Sequence, residues 1–330
     1  MNHIDSYNAK IANYVCSAVS LIILCGRLIL TRHRDKKFDI ASALTGTSIL
    51  VLIVRVVVVY FYLYYGTSQD YFYSSTRDRF SSEDLSNIRT GSILALVSRF
   101  LITTFYWLQI CLLLLFYGGM VREFHWVNTI KACWLAIVVT YITVVLVTFL
   151  ECTPFRLYWQ VDPNPGKCVR AYAQLLTQGT CNIVLDLFLL AISYPLIAVR
   201  KRTLSQKLRV GSLFILGFFC IIVTCLRIAY IYAEDSYQPV RSFWASVQML
   251  VSTFVANVPT IYGCFQLNRR RKSAQRQRRA SRPELWTSLD SPAASHSDVP
   301  QLPVLPERAR TSESATRSSD DEKAWSRHIP

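Results

Sequence analysis

The chain has 330 residues, of which 52% are hydrophobic and 17% are charged, and its mean hydropathy is +0.27. Charged residues make up about 25% of an ordinary soluble domain, so the composition excludes a soluble enzyme and a disordered protein as descriptions of the whole chain. The net charge of +15 would indicate a nucleic-acid partner in a soluble protein, whereas a membrane protein distributes its Lys and Arg unequally between its two sides.

Seven apolar segments are long enough to cross a bilayer, whose hydrocarbon core takes about 20 helical residues. They cover residues 12–30, 40–65, 93–117, 130–150, 173–197, 210–231 and 243–265. Helices of soluble proteins average about 11–12 residues and carry a polar face, which makes core helices of a large soluble protein a poor alternative. Backbone groups in lipid need internal partners. We therefore predict an all-α membrane protein with seven transmembrane helices.

The basic residues outside these segments indicate the topology. Eighteen Lys and Arg lie in one alternating set of loops, at residues 31–38, 118–126, 198–209 and 266–282. Eight lie in the other set, in the short N-terminus 1–11 and at residues 66–92, 151–172 and 232–242. Because cytoplasmic loops carry the excess of positive charge, we predict an outer N-terminus and a cytoplasmic C-terminus. We expect a multi-pass protein of the plasma membrane, or of another endomembrane, with no nucleic-acid partner.

The ten cysteines follow the same division. Eight lie inside the apolar segments, where Cys acts as a small apolar side chain. Cys152 and Cys168 lie in a loop that the charge distribution places outside, in an oxidising compartment. We predict a disulfide between them, because the alternative of a metal site lacks a nearby His or a second Cys pair.

Charged side chains inside apolar segments are costly in lipid and commonly face a partner or a cavity. Arg55 and Asp186 lie nearest the middle of their segments, and two hypotheses follow. In the first, they contact each other or share a polar cavity. In the second, they form a structural clasp that binds no ligand. Asn182 lies four residues before Asp186 and therefore shares its helix face.

Three other arginines lie nearer the ends of their segments. Arg27 either extends to water or pairs with Asp39. Arg99 and Arg227 either extend to water or pair with an acidic residue of the outer loops; the candidates are Glu151, Glu234 and Asp235.

Neutral polar residues complete the candidate polar site. Gln109, Gln248 and Asn257 bring amide groups from further segments. The candidate site residues are Arg55, Arg99, Asn182, Asp186, Arg227 and Asn257, a set suited to lining a pocket for a small-molecule ligand.

Residues 266–330 change to a composition rich in Ser, Pro and Arg, which predicts a disordered, basic cytoplasmic tail. The tail begins with a basic block that includes Arg269, Arg270, Arg271 and Lys272. One interpretation is a simple cytoplasmic anchor. The other is attraction to anionic inner-leaflet lipids, worth about 1 kcal/mol for each basic residue near the surface. Phosphorylation of Ser273 or Ser281 would weaken that attraction.

Several chemistries have no sequence support. The seventh segment contains no Lys that could form a retinal Schiff base, and the chain has no Gly-rich phosphate loop, H-E-x-x-H or G-x-S-x-G. The five His residues do not cluster within the apolar segments. We expect no enzyme activity, no cofactor and no metal.

Several motifs resemble one known family. They begin with C-T-P-F-R-L-Y-W from Cys152 and G-K-C ending at Cys168, and continue with N-I-V-L-D, from Asn182 to Asp186, and Pro195. They then comprise K-L-R-V-G-S-L-F-I-L-G-F from Lys207, C-L-R at Arg227, Trp244, and N-V-P at Asn257. In order and spacing, residues 27–265 resemble the fungal rhodopsin-domain integral membrane proteins. That family includes Pth-type receptor-like proteins and a membrane protein of satratoxin gene clusters.

The resemblance implies two functions. One is a receptor-like protein that senses an external small molecule; the other is an accessory membrane protein of a secondary-metabolite pathway, in transport, tolerance or scaffolding. The third segment has Gln109 where the family commonly has Lys, and no Asp/Glu-Arg-Tyr triplet follows it. Coupling to a G protein therefore stays open.

Overall fold

A computed structural model of the chain describes residues 6–34, 39–68, 71, 81–121, 127–161, 170–198, 204–234 and 236–280. The chain divides into two compact units, Met1–Ser273 and Ala274–Pro330. The second unit is described over residues 274–280 only, where it is helical.

The described residues form long α-helices and contain no strand, which confirms the all-α fold. The helices are α1 (Ser6–Arg34), α2 (Ile40–Tyr65), α3 (Ser82–Val121), α4 (Val127–Leu150), α5 (Tyr172–Ala198), α6 (Leu204–Ala233) and α7 (Gln238–Ala280). A 3-10 helix, Phe155–Trp159, lies between α4 and α5. Each predicted apolar segment falls inside one of these helices.

Six helices, α1 to α6, are long and apolar enough to cross a membrane, by length and composition. Helix α7 is not among them. Its described residues carry Ser, Thr, Gln and Asn between the apolar positions and a basic stretch at the C-terminal end. Over the part of the chain that the structure describes, the fold is thus all-helical with six such helices, and the count of seven spans stays a prediction.

The packing is inverted relative to a soluble protein, in which large apolar side chains lie inside. Ile22, Leu135 and Ile215 are each more than 60% exposed on the outer surface, whereas the Arg55 guanidinium and the Asn257 amide are buried. An outer surface of this kind suits lipid, and it agrees with a multi-pass membrane protein.

The interior joins apolar side chains from several helices. The main cluster includes Leu24 of α1, Leu52 of α2, Phe105 of α3, Leu185 of α5 and Met249 of α7. Between α2 and α3, Gly91 lies so close to the end of α2 that a Cβ atom at this position would be 2.0 Å from the Gly66 carbonyl oxygen. Gly66 itself has φ of 76°, a left-handed conformation that glycine adopts without strain.

Three connections meet at one end of the bundle, which we call the 3-10 end. There α2 is followed by α3, α4 by the 3-10 helix and α5, and α6 by α7. The Tyr158 hydroxyl donates to the Thr148 carbonyl oxygen at 2.6 Å and accepts from the Cys152 amide at 3.3 Å. Burial raises the pKa of the Tyr158 phenol above its ordinary value, so the phenol stays protonated and keeps donating this bond.

Cys152 is buried at the 3-10 end. Cys168 lies outside the described residues, and the pairing of these two cysteines stays a prediction.

The boundary predicted at residue 266 differs from the structure. Helix α7 continues to Ala280, because the basic stretch that follows the apolar segment consists largely of Arg, Lys, Gln and Ala, which favour helices. The disorder predicted for residues 266–280 is therefore wrong. Residues 281–330 lie outside the described residues.

Candidate ligand-binding site

Helix α7 presents a line of buried polar groups to the bundle interior, here called the α7 polar stripe. Its members are Ser242, Ser246, Thr253 and Asn257, each no more than 4% exposed. They are four or seven residues apart, a spacing that places them on one face of a helix. Hydroxyl and amide oxygen atoms thus lie inside the bundle, where those of Ser246 and Asn257 accept hydrogen bonds from guanidinium groups.

The first guanidinium is that of Arg55 on α2, which is 1% exposed. Its Nη1 atom donates to Asn13 Oδ1 of α1 at 2.8 Å and lies 3.6 Å from Met249 Sδ. Its Nη2 atom donates to Ser246 Oγ at 3.3 Å. Arg55 therefore ties α2 to both α1 and α7.

The predicted contact between Arg55 and Asp186 is wrong, and so is the alternative of a cavity shared by the two. Within the described residues, Arg55 bonds to α1 and α7, whereas Asp186 lines a different cavity. The prediction failed because depth in an apolar segment places a residue along a helix but does not say which neighbour its face meets.

The second guanidinium belongs to Arg227 on α6, which is 7% exposed. Its Nη1 atom donates to Gln248 Oε1 at 2.7 Å, and Gln248 Nε2 donates to Thr224 Oγ1 at 3.3 Å. The guanidinium also lies 5.8 Å from the Tyr106 ring centroid, a cation–π distance. The expectation that Arg227 reaches water or pairs with Glu234 or Asp235 is wrong, because these partners keep it inside the bundle.

The third guanidinium is that of Arg27 on α1, which is 3% exposed. Its Nη1 atom donates to Asn257 Oδ1 at 2.8 Å and to the Ala256 carbonyl oxygen at 3.3 Å. Asn257 Nδ2 in turn donates to Gln109 Oε1 at 3.0 Å. Arg27 is thus buried against α7, and the expectation that it extends to water or pairs with Asp39 is wrong.

Arg99 on α3 lies at the 3-10 end, where the negative charge of Glu151 acts on it. This agrees with one of the two alternatives expected from the sequence, pairing with an acidic residue of the outer loops. The Glu151 carboxylate also accepts from the amides of Ala173 at 2.8 Å and Gln174 at 3.2 Å, at the N-terminus of α5. Glu151 therefore caps α5, where a negative charge is favourable.

Three of the predicted site residues line one cavity of about 60 Å³ at the 3-10 end, here called the arginine cavity. Its charged lining consists of Arg55, Arg99, Arg227 and Arg241, and its neutral polar lining includes Gln174, Gln178 and Gln238. None of the described residues that line it is acidic. Arg241 donates to the Arg170 carbonyl oxygen at 2.6 Å and bonds to the side chain of Gln238.

Asn182 and Asp186 line a second cavity of about 40 Å³, bounded also by Tyr106, Cys220 and Gln248 and here called the Asp186 cavity. The Asn182 Oδ1 atom is buried and accepts no hydrogen bond from the described residues. Asn257 lines neither cavity. The predicted polar site therefore divides into the arginine cavity, the Asp186 cavity and the Arg27–Asn257 contact.

The basic block of the tail is the C-terminal part of α7. Arg269 and Lys272 are exposed, and Ser273 Oγ donates to the Arg269 carbonyl oxygen at 3.0 Å. The side chains of Arg270 and Arg271, and all of Ser281, lie outside the described residues.

The fungal rhodopsin domain matches residues 26–267, which is most of the chain. The chain belongs to the fungal rhodopsin domain family. Over 144 residues it is 28% identical to Satratoxin biosynthesis SC1 cluster protein 4 of Stachybotrys chartarum, a match that covers 42% of this chain and 50% of that protein. The chain thus spans about half the length of this curated relative. No solved structure matches the chain.

The matched residues 26–267 contain the described contacts of the arginines inside the bundle and at the 3-10 end, except the bond from Arg55 to Asn13. Sequence reasoning missed Asn13, Ser246 and Gln178 as functional candidates. Ser246 carried a usable signal, since Ser246, Thr253 and Asn257 recur at helical spacing within the apolar segment 243–265. Asn13 and Gln178 carried none, because nothing in their own helices indicates the cavity or the guanidinium that they face.

Replacement of Asn257 by Ala tests the Arg27 contact. It removes the amide that accepts from Arg27 and donates to Gln109, and a lost hydrogen bond to a buried charge costs about 1.5–3 kcal/mol. We expect a loss of that size in the free energy of unfolding in detergent. Asn182→Ala is the matched control, because Asn182 is also buried but its oxygen is unpaired. Equal losses in both variants would contradict the assignment.

Proposed function

We propose that the chain is a receptor-like, non-enzymatic membrane protein of the fungal rhodopsin domain family that senses an external small molecule. The observation that carries this proposal is the arginine cavity, which lies among α2, α3, α5, α6 and α7. Ligand sites in helical membrane proteins lie between helices in this way, and charged groups within a membrane bundle commonly mark them.

A signal from this cavity has a physical route along α7. Arg55 lines the cavity and bonds to Ser246, whereas Arg27 bonds to Asn257, eleven residues further along the same helix. A ligand that competes for the Arg55 guanidinium changes the balance of contacts holding α7. A shift between two arrangements of α7 is the two-state element that a receptor requires.

The proposed receptor has seven spans, with α7 as the seventh, an outer N-terminus and a cytoplasmic C-terminus in the plasma membrane. The excess of Lys and Arg in one set of loops supports this topology. In this topology, the 3-10 end with its arginine cavity lies on the outer side of the membrane. The identity of a cytoplasmic partner, including whether it is a G protein, stays open.

Epitope tags at the two ends test the topology. In intact cells, antibody is expected to label an N-terminal tag, and a C-terminal tag only after permeabilisation. Two tags on the same side would indicate that α7 does not cross. A C-terminal tag labelled in intact cells would reverse the orientation.

Gene deletion followed by re-expression tests the receptor function. Deletion should abolish the transcriptional response of the cells to fractions of their own culture medium, and the wild-type chain should restore it. Arg55→Gln should insert in the membrane but fail to restore the response, because it lacks the charge that binds Ser246 and lines the cavity. Normal responses after deletion would contradict the receptor function.

A second candidate function is supported by the relative from the satratoxin cluster. In it, the chain is an accessory membrane protein of a secondary-metabolite pathway, in transport, tolerance or scaffolding. The deletion strain separates the two functions. An accessory role predicts a changed yield or export of a metabolite with an intact external response, and a gene that lies among biosynthetic genes.

We also propose that the basic block of α7 binds anionic lipids of the inner leaflet. Arg269 and Lys272 are exposed on a helix, where both side chains can reach lipid head groups. Each basic residue near such a surface contributes about 1 kcal/mol. The phosphorylation sites proposed above, Ser273 and Ser281, would add negative charge beside this block.

A peptide of residues 266–285 is expected to bind vesicles containing phosphatidylserine and to ignore pure phosphatidylcholine, as measured by co-sedimentation. Glu at both Ser273 and Ser281 should weaken binding through charge repulsion, whereas Ala at both positions is the uncharged control. Equal binding to both vesicle types, or no effect of Glu, would leave only an anchor function.

A further inference from the structure

The arginine cavity combines an excess of positive charge with unused hydrogen-bond donors. Arg55 and Arg227 both line it, and their like charges repel each other. Their hydrogen-bond partners among the described residues are the neutral side chains of Asn13, Ser246, Met249 and Gln248, and none of these is a carboxylate.

Among the described residues that line the arginine cavity, the buried side-chain atoms without a hydrogen-bond partner are all donors. Arg55 Nε, Arg227 Nε and Gln178 Nε2 are buried and have no hydrogen-bond partner among the described residues. Gln178 is 1% exposed, so water outside the protein does not satisfy its amide. A buried donor without an acceptor is costly, particularly on a charged group. A ligand that supplies negative oxygen atoms would satisfy these donors and lower the repulsion.

We propose that the arginine cavity binds an oxyanion, either a small organic carboxylate or inorganic phosphate. Guanidinium groups bind both with short, charge-assisted hydrogen bonds. The volume of about 60 Å³ exceeds what one water molecule occupies. This proposal rests on the proposed receptor function in one respect. It takes the external ligand to be this anion, or a larger molecule that carries the anionic group.

The 3-10 end offers a path to this site. A smaller neighbouring cavity of about 10 Å³ shares Arg99, Gln238 and Arg241 with the arginine cavity and reaches Ser68 and Tyr158 near the helix connections. Arg99 and Arg241 already have partners at this end. We therefore assign them to the entrance, and assign binding to Arg55, Arg227 and Gln178.

Binding is measured on the purified full chain in detergent, by thermal unfolding and calorimetry at constant ionic strength. The probes are sodium acetate, sodium phosphate, and acetamide, which matches acetate in size but carries no charge. We expect acetate or phosphate to raise the unfolding temperature with saturation, and acetamide to have no effect. Saturation by acetate alone identifies a carboxylate site, and saturation by phosphate alone identifies a phosphate site. No saturable effect of either anion overturns the proposal.

Variants identify the site. Arg55→Gln and Arg227→Gln should each raise the dissociation constant at least about tenfold, since each removes a charge-assisted hydrogen bond. Arg27→Gln is the matched control, because it removes a buried arginine that does not line the cavity, and it should weaken binding much less than the other two variants. Loss of affinity in Arg27→Gln equal to that in the other two overturns the assignment to this cavity.

Gln178→Glu keeps the proposal testable if an arginine variant does not fold. The introduced carboxylate takes the place of the anion beside the guanidinium groups. The ligand-free variant should therefore unfold at a higher temperature than the ligand-free wild type, and acetate and phosphate should no longer raise that temperature. A lower unfolding temperature with an intact anion response overturns the proposal. Anion binding without any cellular response supports the anion site and refutes the receptor function. A cellular response without anion binding supports the receptor function and refutes the anion site.

Discussion

The structure depends on how buried guanidinium groups are partnered inside a lipid-facing bundle. Arg27, Arg55 and Arg227 lie on three different helices. Each of them donates a hydrogen bond to a neutral side chain of α7. A charge in hydrocarbon without partners is costly, so these contacts bring α1, α2 and α6 against α7. Apolar packing alone gives little preference between helix pairs in lipid.

The choice of neutral partners has a consequence for charge. Amide and hydroxyl oxygens accept hydrogen bonds but do not cancel the positive charge of Arg55 and Arg227. Glu151, which does carry a negative charge, acts on Arg99 and caps α5. The interior at the 3-10 end therefore keeps an excess of positive charge beside a cavity, which a purely structural clasp would not need.

Membership of the fungal rhodopsin domain family agrees with this architecture but does not by itself assign a function, because one fold hosts many activities. The functional argument rests instead on the site. The Asp186 cavity lies next to the arginine cavity through shared neighbours, since Gln248 lines the former and bonds to Arg227 of the latter. The Gln248 side chain thus links the two cavities.

The sequence by itself determined the helical membrane fold, the apolar segment at the centre of each helix and the identity of the polar residues within it. These follow from segment length and hydropathy, because lipid requires a chain to satisfy its backbone groups within each segment. The end of α7 was missed, since hydropathy falls at residue 266 while helix propensity continues to Ala280.

Only the tertiary structure decided which polar residues meet. Arg55 and Asp186 lie at similar depth and have opposite charges, yet they line separate cavities. Helix rotation and neighbour choice set these contacts, and in lipid they depend on side chains from several helices at once. The pairing of Arg55 with Asn13 and Ser246, and the clustering of four arginines, therefore had no signal in any single segment of the sequence.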